Sequence, residues 1–134
     1  MIAWKAVAII NSKFQSWSCV LKNNPVIYTP GVVSKRPVEW GPLTAFKSYK
    51  HAKRFVQLHK RGDTTAVILR CNATKSRAKR LWIYYYDKKL FNVSVVNGFG
   101  EPVIEGAVAL KIPAGTVFCD SITPLEVVWR GNES

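Results

Sequence analysis

The chain has 134 residues, of which 48% are hydrophobic, and it carries a formal net charge of +12 at pH 7. This length suits a single domain over residues 1–134 with a buried core, and the apolar content excludes an intrinsically disordered chain. The apolar runs, such as residues 6–10, are far shorter than the roughly 20 residues of a membrane-spanning helix. We therefore expect one globular domain that has no membrane partner.

The cysteines and the first residues of the chain indicate the compartment. Cys19, Cys71 and Cys119 stand far apart in the sequence, and their number is odd. The first ten residues lack the basic start of a secretion signal, and Lys5 interrupts their apolar stretch. Without a secretion signal, an odd number of cysteines favours reduced thiols, and the sequence predicts a cytoplasmic, intracellular location.

The positive charge is concentrated in the middle of the chain. Residues 35–89 contain fifteen basic and three acidic side chains, which gives this segment a net charge of +12. Residues 1–34 carry +3, and residues 90–134 carry −3. An uneven charge of this kind bears on the partners of a protein and not on its fold.

The first third of the chain predicts short strands. Residues 4–10 and 14–21 are largely apolar and flank the polar residues "NSK", which is typical of a β-hairpin. Residues 25–31, "PVIYTPG", predict a short strand that ends in a Pro-Gly turn. Residues 34–42 are predicted to be irregular, because their prolines lack the amide donor that a strand needs. Residues 43–46 are predicted to form the next strand.

Residues 47–62, "KSYKHAKRFVQLHKRG", contain the main helix, which we predict over about residues 48–61. Ser48 is a suitable N-cap, and Gly62 is a suitable residue after the C-terminus. At 100° per residue, one half of this helix is apolar and the other half is cationic. The apolar half consists of Tyr49, Ala52, Phe55, Val56, Leu58 and His59, and the cationic half of Lys47, Lys50, Lys53, Arg54, Lys60 and Arg61. We expect the cationic half to face solvent.

Strands predominate again after the helix. Residues 64–73 are rich in β-branched side chains and predict a central strand, and residues 74–80 form a basic loop. Residues 81–87, "LWIYYYD", predict an aromatic strand, and Asn97-Gly98 predicts a hairpin turn with positive φ at both residues. Further strands are predicted at 108–112, 117–122 and 125–129. The fold class is therefore α+β, a single domain with a mostly antiparallel sheet and one main amphipathic helix.

The sequence contains no catalytic, cofactor or metal signature. His51 and His59 lie on neighbouring faces of the predicted helix, and no second pair of metal ligands accompanies them. Cys119 followed by Asp120 invites comparison with a cysteine nucleophile paired with a histidine, but the surrounding residues match no nucleophile motif. We therefore predict no metal and no cofactor, and we favour a binding protein over an enzyme.

Cations and aromatic rings occur together in the middle of the sequence. Alternate residues of a strand point to the same side, so Trp82, Tyr84 and Tyr86 share one face. If that face is exposed, its rings can stack on bases while neighbouring cations neutralise phosphates. The predicted nucleic-acid-binding residues are Lys50, Lys53, Arg54, Lys60 and Arg61 on the helix, Lys75, Arg77, Lys79 and Arg80 in the loop, and Trp82, Tyr84 and Tyr86 in the strand.

The sequence shows no module that reads bases, such as a zinc ligand set or a helix-turn-helix pair. We therefore predict non-specific binding of nucleic acid, through backbone and stacking contacts. Two alternatives stay open. In the first, the cationic helix face is only a solvated surface without a partner. In the second, the chain docks on an acidic host protein as a non-catalytic adaptor or inhibitor. The anchors of such an interface would be Trp17, Trp40, Phe99 and Trp129.

Two blocks of the sequence carry further motifs: "GPLTAFKSYKHAKRF" at 41–55 and "KIPAGTVFCDSITPLEVV" at 111–128. With the opening "K-x-V" strand, these blocks combine a junction from strand to helix with a late strand that contains "P-x-G-T" and "D-S-I". In this pattern the chain resembles a group of small proteins of phages, archaeal viruses and mobile elements. The group has no assigned activity, so the resemblance implies an origin in a virus or mobile element and transfers no functional residues.

Overall fold

The computed structural model describes residues 1–16, 26–35, 42–59, 65–78, 80, 82–86, 89–93, 108–109 and 111–131. For residues 82–86, 89–93 and 108 the description covers the backbone alone. The elements are β1 (Ile2–Ile10), β2 (Lys13–Ser16), β3 (Ile27–Tyr28), β4 (Ser34–Lys35), β5 (Leu43–Phe46), α1 (Tyr49–Leu58), β6 (Thr65–Lys75), β7 (Trp82–Tyr86), β8 (Lys89–Val93), β9 (Val108–Ala109) and β10 (Thr116–Arg130). One helix and antiparallel strand pairs within the described residues confirm the α+β class.

The strand β6 forms ladders on both of its edges, as predicted for a central strand. On one edge, residues 65–72 pair with β1, and on the other edge β6 pairs with β10. β10 also pairs with β5, and β5 returns to β1 through one pair of residues, Trp4 and Phe46. The four strands β1, β6, β10 and β5 therefore close a ring.

Three short strands cover the gap that opens between β1 and β10 beyond the single pair of β1 with β5. β2 pairs with the second half of β1, from Val7 onward, and β3 pairs with β2. β4 pairs with β10 at Ser121 and Ile122. The hydroxyl of Ser34 donates a hydrogen bond to the carbonyl oxygen of Ile27 (3.0 Å) and so links β4 to β3. The sheet therefore encloses an interior.

Alternate residues of β1 and β6 face two different cores. The odd-numbered residues contribute to the enclosed core, which consists of Ala3, Val7, Tyr28, Leu43, Ala45, Val67, Leu69, Cys71, Ala73, Cys119 and Ile122. The even-numbered residues Ala6, Ala8, Ala66 and Ile68 face α1. They form the outer core together with Phe46 of β5 and with Ala52 and Val56 of α1. Because apolar burial is the main favourable contribution to folding, Ala52 and Val56 hold α1 on the outside of the ring.

The turn between β1 and β2 confirms the predicted hairpin. Ile10 lies opposite Lys13, which leaves two residues in the turn. These residues, Asn11 and Ser12, have φ values of 52° and 64°. Positive φ at both central positions gives the turn a twist that matches the twist of the flanking strands.

The start of α1 is held by one side chain and by the turn before β10. The backbone N–H of His51 donates a hydrogen bond to Ser48 Oγ (3.2 Å), which confirms Ser48 as the N-cap. The backbone N–H of Lys47 donates to the carbonyl oxygen of Gly115 (2.8 Å). Residues 113–116, which include this glycine, form the turn that leads into β10. The first turn of the helix is therefore tied to the sheet.

The end of α1 differs from the prediction. The helix ends at Leu58 with His59 as the C-cap, three residues before the predicted end at about residue 61. Gly62, which was predicted to follow the helix, lies outside the described residues. The backbone N–H of His59 donates to the carbonyl oxygen of Phe55 (3.0 Å), and their rings lie 4.6 Å apart. This contact caps the last turn. Leu58, which was assigned to the apolar half, is 70% exposed.

β10 also differs from the prediction, because it is one strand of fifteen residues and not two strands. We expected a break near Pro124, since proline has no N–H for a ladder. The pairing of β10 with β6 instead shifts register between Pro124 and Glu126. The strand therefore passes the proline at an irregular step and continues to Arg130.

Other predictions lie partly outside the described residues. Ser34 and Lys35 form β4, so the segment predicted to be irregular begins as a strand, and its residues 36–41 are not described. β7 pairs with β8 and β9 in a separate three-stranded antiparallel sheet. The Asn97-Gly98 turn lies outside the described residues. Among the described residues, no helix has the length and apolar character needed to cross a membrane.

Gly115 packs closely on His51 of α1, so a larger residue at this position would disturb the placement of the helix. Its φ is +81°, and a Cβ atom there would overlap Cβ, Cγ and Cδ2 of His51. We expect Gly115→Ala to lower the free energy of unfolding by about 3 kcal/mol, through backbone strain and overpacking. Gly31 also has a positive φ (+77°), but a Cβ atom there meets nothing within 4 Å.

Gly31→Ala is therefore the matched control, with an expected loss of about 1 kcal/mol from the backbone alone. Urea denaturation of both variants measures the two losses. Equal losses would show that the contact between residue 115 and His51 does not constrain the helix.

Candidate nucleic-acid interface

Lys53 is the cation of α1 that the structure holds in place. Its Nζ lies 4.4 Å from the centroid of the Trp129 ring and 5.8 Å from that of Tyr49. Both distances are within the range of a cation–π interaction. Lys53 is half-buried as a result, whereas the sequence placed it on the solvent side with the other helix cations.

The two rings beside Lys53 come from different parts of the chain. Tyr49 begins α1 and is 37% exposed, although the sequence assigned it to the apolar half. Trp129 lies near the end of β10, opposite Ile68, and packs half-buried against the outer core. The sequence predicted a role for Trp129 only as an anchor for a protein partner, because nothing local in the sequence connects this residue with a lysine far away along the chain.

The other predicted helix cations with described positions are exposed. Lys50 and Arg54 lie four residues apart, so they share one side of the helix next to Lys53. We call the group of Tyr49, Lys50, Lys53, Arg54 and Trp129 the α1 surface. Lys60 and Arg61 lie outside the described residues.

The basic loop provides a second group of exposed cations. Lys75 is the last residue of β6 and is exposed, and Arg77 and Arg80 are exposed beyond it. We call these three residues the loop cations. Lys79 lies outside the described residues.

The aromatic strand is described in its backbone alone. Residues 82–86 form β7, so Trp82, Tyr84 and Tyr86 share one face of that strand, as predicted. Their side chains lie outside the description. Whether these rings contribute to an interface therefore stays a prediction.

The structure does not bring the α1 surface and the loop cations into one cluster. α1 packs over Ala66 and Ile68 near the start of β6. Lys75 follows Ile68 by seven residues of β6, which is about 23 Å at about 3.3 Å per residue. The two cationic groups therefore lie towards opposite ends of one strand.

The described carboxylates lie outside α1, and one of them, Asp120, stands between the residues of β10 that pair with Thr74 and Lys75. Among the side chains that the structure describes, the acidic residues are Asp120 and Glu126, both in β10. Glu126 accepts a hydrogen bond from Arg70 Nε (2.7 Å) in a salt bridge across β10 and β6. α1 itself contains no acidic residue. α1 therefore supplies no carboxylate that could neutralise its own cations.

A further cation, Lys5, lies inside the enclosed core, where the sequence showed only an interruption of an apolar strand. Lys5 is 7% exposed. Its Nζ donates a hydrogen bond to the carbonyl oxygen of Thr44 (2.6 Å) and lies 5.4 Å from the centroid of the Tyr28 ring. Burial lowers the pKa of Lys5 from 10.5 to about 8, because the charged amine loses its hydration.

The two described cysteines are buried free thiols. Burial raises the pKa of Cys71 to about 12, and burial also raises the pKa of Cys119. Thiols of this kind stay protonated at neutral pH and are poor nucleophiles. The Cys119 thiol lies 3.8 Å from the carbonyl oxygen of Val117, whereas the His51 ring is hydrogen-bonded to Ser48. The described residues therefore give no support to a cysteine–histidine enzyme.

Comparison with known proteins assigns no role to these residues. No protein-family model matches the chain, and no curated protein or solved structure is significantly similar to it. Among the described residues, no three His, Cys, Asp or Glu side chains lie together in a group that could hold a metal ion. The function is therefore inferred from the chemistry of the exposed side chains.

The buried amine of Lys5 predicts a specific dependence of stability on pH. The unfolded chain binds a proton at Lys5 up to about pH 10.5, and the folded chain only up to about pH 8. Since the unfolded state binds more protons in this window, the free energy of unfolding rises with pH. From pH 7 to pH 9 we expect a rise of about 1 kcal/mol relative to Lys5→Met.

Chemical denaturation of the protein and of Lys5→Met at several pH values measures this difference. The variant retains the thiols, which titrate from their ordinary pKa of 9.0 in the unfolded chain, so the comparison removes most of their contribution. A difference that stays constant with pH would show that the Lys5 amine is not desolvated.

Proposed function

We propose that the protein binds nucleic acid without sequence preference, through the α1 surface and the loop cations. The observation that carries the proposal is the ammonium group of Lys53 over two partly exposed rings, beside the exposed Lys50 and Arg54. The other residues predicted from the sequence belong to the same proposal: Lys60, Arg61, Lys79, Trp82, Tyr84 and Tyr86.

The rings of the α1 surface prepare Lys53 for an anion. A free lysine side chain loses rotamer entropy when it is immobilised on a phosphate. The contacts with Trp129 and Tyr49 restrict Lys53 in advance, so less entropy is lost on binding. With Lys50 and Arg54 beside it and no carboxylate on α1, the local potential is positive and attracts phosphates.

The same surface explains why we expect little sequence preference. Base readout needs donors and acceptors that are aimed at base edges in a fixed geometry, whereas phosphate contacts carry no sequence information. Among the described residues, no side chain makes a hydrogen bond or salt bridge that would orient Lys50 or Arg54. The partly exposed Tyr49 ring can stack on any base, since every base has an aromatic face.

An intracellular location, in the cytoplasm, belongs to this proposal. Cys71 and Cys119 are free thiols in the structure, which supports a reducing compartment. Nucleic acid is abundant in that compartment. We also propose an origin in a virus or mobile element, which the resemblance of the two sequence blocks implies.

Neutralising two exposed helix cations tests the proposed function. We expect the double variant Lys50→Gln/Arg54→Gln to lose about tenfold in affinity for an oligonucleotide at low salt. The slope of log K against log salt concentration should fall in magnitude by about 1.5, since two phosphate contacts are lost. Fluorescence anisotropy titrations at several salt concentrations measure both quantities.

The matched control is Lys13→Gln/Lys35→Gln, which removes the same charge from exposed positions on β2 and β4. We expect this control to lose less than twofold. Equal losses in the two double variants would show that net charge acts without a defined surface. Absence of binding by the unmodified protein at low salt would refute the proposed function.

Docking on an acidic host protein is the second candidate, and a group of exposed apolar side chains favours it. The backbone N–H of Gly31 donates to the carbonyl oxygen of Pro124 (2.8 Å), which brings the turn after β3 beside β10. The exposed apolar residues around this contact are Ile27, Val32, Val33 and Leu125. The lining of an adjoining hollow of about 360 Å³ includes Lys13, Phe14 and Tyr28. Apolar groups with cationic neighbours suit an acidic partner surface.

A pull-down from a nuclease-treated lysate separates the two candidates. If a host protein is the partner, capture persists without nucleic acid and is lost in Val32→Asp/Val33→Asp, because the added charges oppose an apolar contact. The same capture should be unchanged in Lys50→Gln/Arg54→Gln. Capture that disappears on nuclease treatment would refute the protein-docking candidate.

A further inference from the structure

The outer face of β6 runs from the α1 surface towards the strand end at which the loop cations begin. Its even-numbered residues point to the same side as Ala66 and Ile68, which α1 covers. Beyond the helix the same side continues with Arg70, Asn72 and Thr74, of which Arg70 is half-buried and the other two are exposed. This side of β6 is therefore open to solvent from α1 as far as Thr74, the residue before Lys75. By alternation Lys75 starts from the opposite side of the strand, and its exposed side chain lies at the strand end, where the loop begins.

β1 adds apolar side chains to this path. Trp4 lies directly opposite Arg70, and Ile2 lies opposite Asn72. Trp4 is half-buried against the outer core, and Ile2 is 44% exposed. We call Ile2, Trp4, Arg70, Asn72 and Thr74 the β6 strip.

The β6 strip has a different chemistry from its two ends. Its centre holds a ring, an aliphatic side chain and polar groups, and the charge of Arg70 is balanced by Glu126 at 2.7 Å. The ends carry the cations of the α1 surface and the exposed cations of the loop. A ligand that fits must therefore present phosphates at both ends and apolar faces in the middle.

We propose that the ligand is single-stranded nucleic acid that lies along the β6 strip, with its backbone held by the α1 surface at one end and by the loop cations at the other. This inference rests on the proposed function. A duplex keeps its bases stacked inside and would set its phosphates against Trp4, Ile2 and the Glu126 carboxylate. A single strand can turn its bases towards the ring of Trp4.

The spacing of the two ends sets the size of the site. They are separated by about 23 Å of strand, because Lys75 follows Ile68 by seven residues at about 3.3 Å per residue. Single-strand sites on small β domains occupy on the order of 4 to 16 nucleotides. A strand that is long enough to engage both ends should therefore bind more tightly than one that reaches a single end.

Oligonucleotides of one base composition, about 4 and about 12 nucleotides long, test this arrangement together with a duplex of the longer sequence. We expect the single strand of 12 to bind at least tenfold more tightly than the duplex at the same salt concentration. The gain in affinity from the short to the long strand should be about tenfold larger in the unmodified protein than in Lys75→Gln/Arg77→Gln. A longer oligonucleotide offers more positions at which the protein can bind, and this statistical gain is the same in the variant, which therefore serves as the control.

Two further variants test the centre of the β6 strip. Trp4→Leu should lose about tenfold in affinity for the long single strand and should leave duplex affinity unchanged, because the stacking ring is removed. Trp4 also packs against the outer core, so Glu126→Gln gives an independent test at an exposed position. Removing this carboxylate should strengthen binding of the single strand severalfold.

The outcomes distinguish this inference from the proposed function. Equal or tighter binding of the duplex, or a length dependence that persists in Lys75→Gln/Arg77→Gln, would overturn the single-strand path and leave non-specific binding intact. Weaker binding of the single strand by Glu126→Gln would also overturn it. If neither ligand binds at low salt, the proposed function fails as well.

Discussion

The double pairing of β6 is the constraint on which the rest of this structure depends. β6 lies between β1 and β10, and both of these strands pair with β5, which closes the ring. The register also separates the two cores, since Leu69 and Cys71 point inward while Ile68 and Arg70 point outward. A slip by one residue would bury Arg70 and expose Leu69, so the apolar pattern fixes the pairing.

Lys5 shows how the ring accommodates a polar group in its interior. β1 pairs with β5 only at Trp4 and then changes partner to β2 from Val7. The amine of Lys5 stands between these two pairings and donates to the Thr44 carbonyl oxygen (2.6 Å) at the edge of β5. A buried carbonyl without a donor is costly, so this bond offsets part of the cost of burying the amine. Lys5 therefore lies at the point where the pairing of β1 changes from β5 to β2.

Local patterns in the sequence were sufficient for the elements that depend on local contacts. The hairpin at Asn11-Ser12, the N-cap at Ser48 and the strand at 43–46 all follow from a few adjacent residues, and the structure confirms them. Predictions that needed distant contacts were less accurate. β10 passes Pro124 because β6 supports it across a register shift, and α1 ends early where His59 packs on Phe55. The exposed Lys50 and Arg54 followed from the helical period, whereas the placement of Lys53 depends on Trp129, which only the fold brings near it.

The two buried thiols can report how often the strands of the ring separate. Cys71 belongs to β6 and Cys119 to β10, and both side chains are buried between these strands and the rest of the ring. An alkylating reagent reaches such a sulfur only during moments when the strands separate. In a chain whose Cys19 is replaced by serine, the modification rates at the two sulfurs therefore record how often each wall of the ring opens. Equal rates would mean that both walls open in one cooperative event.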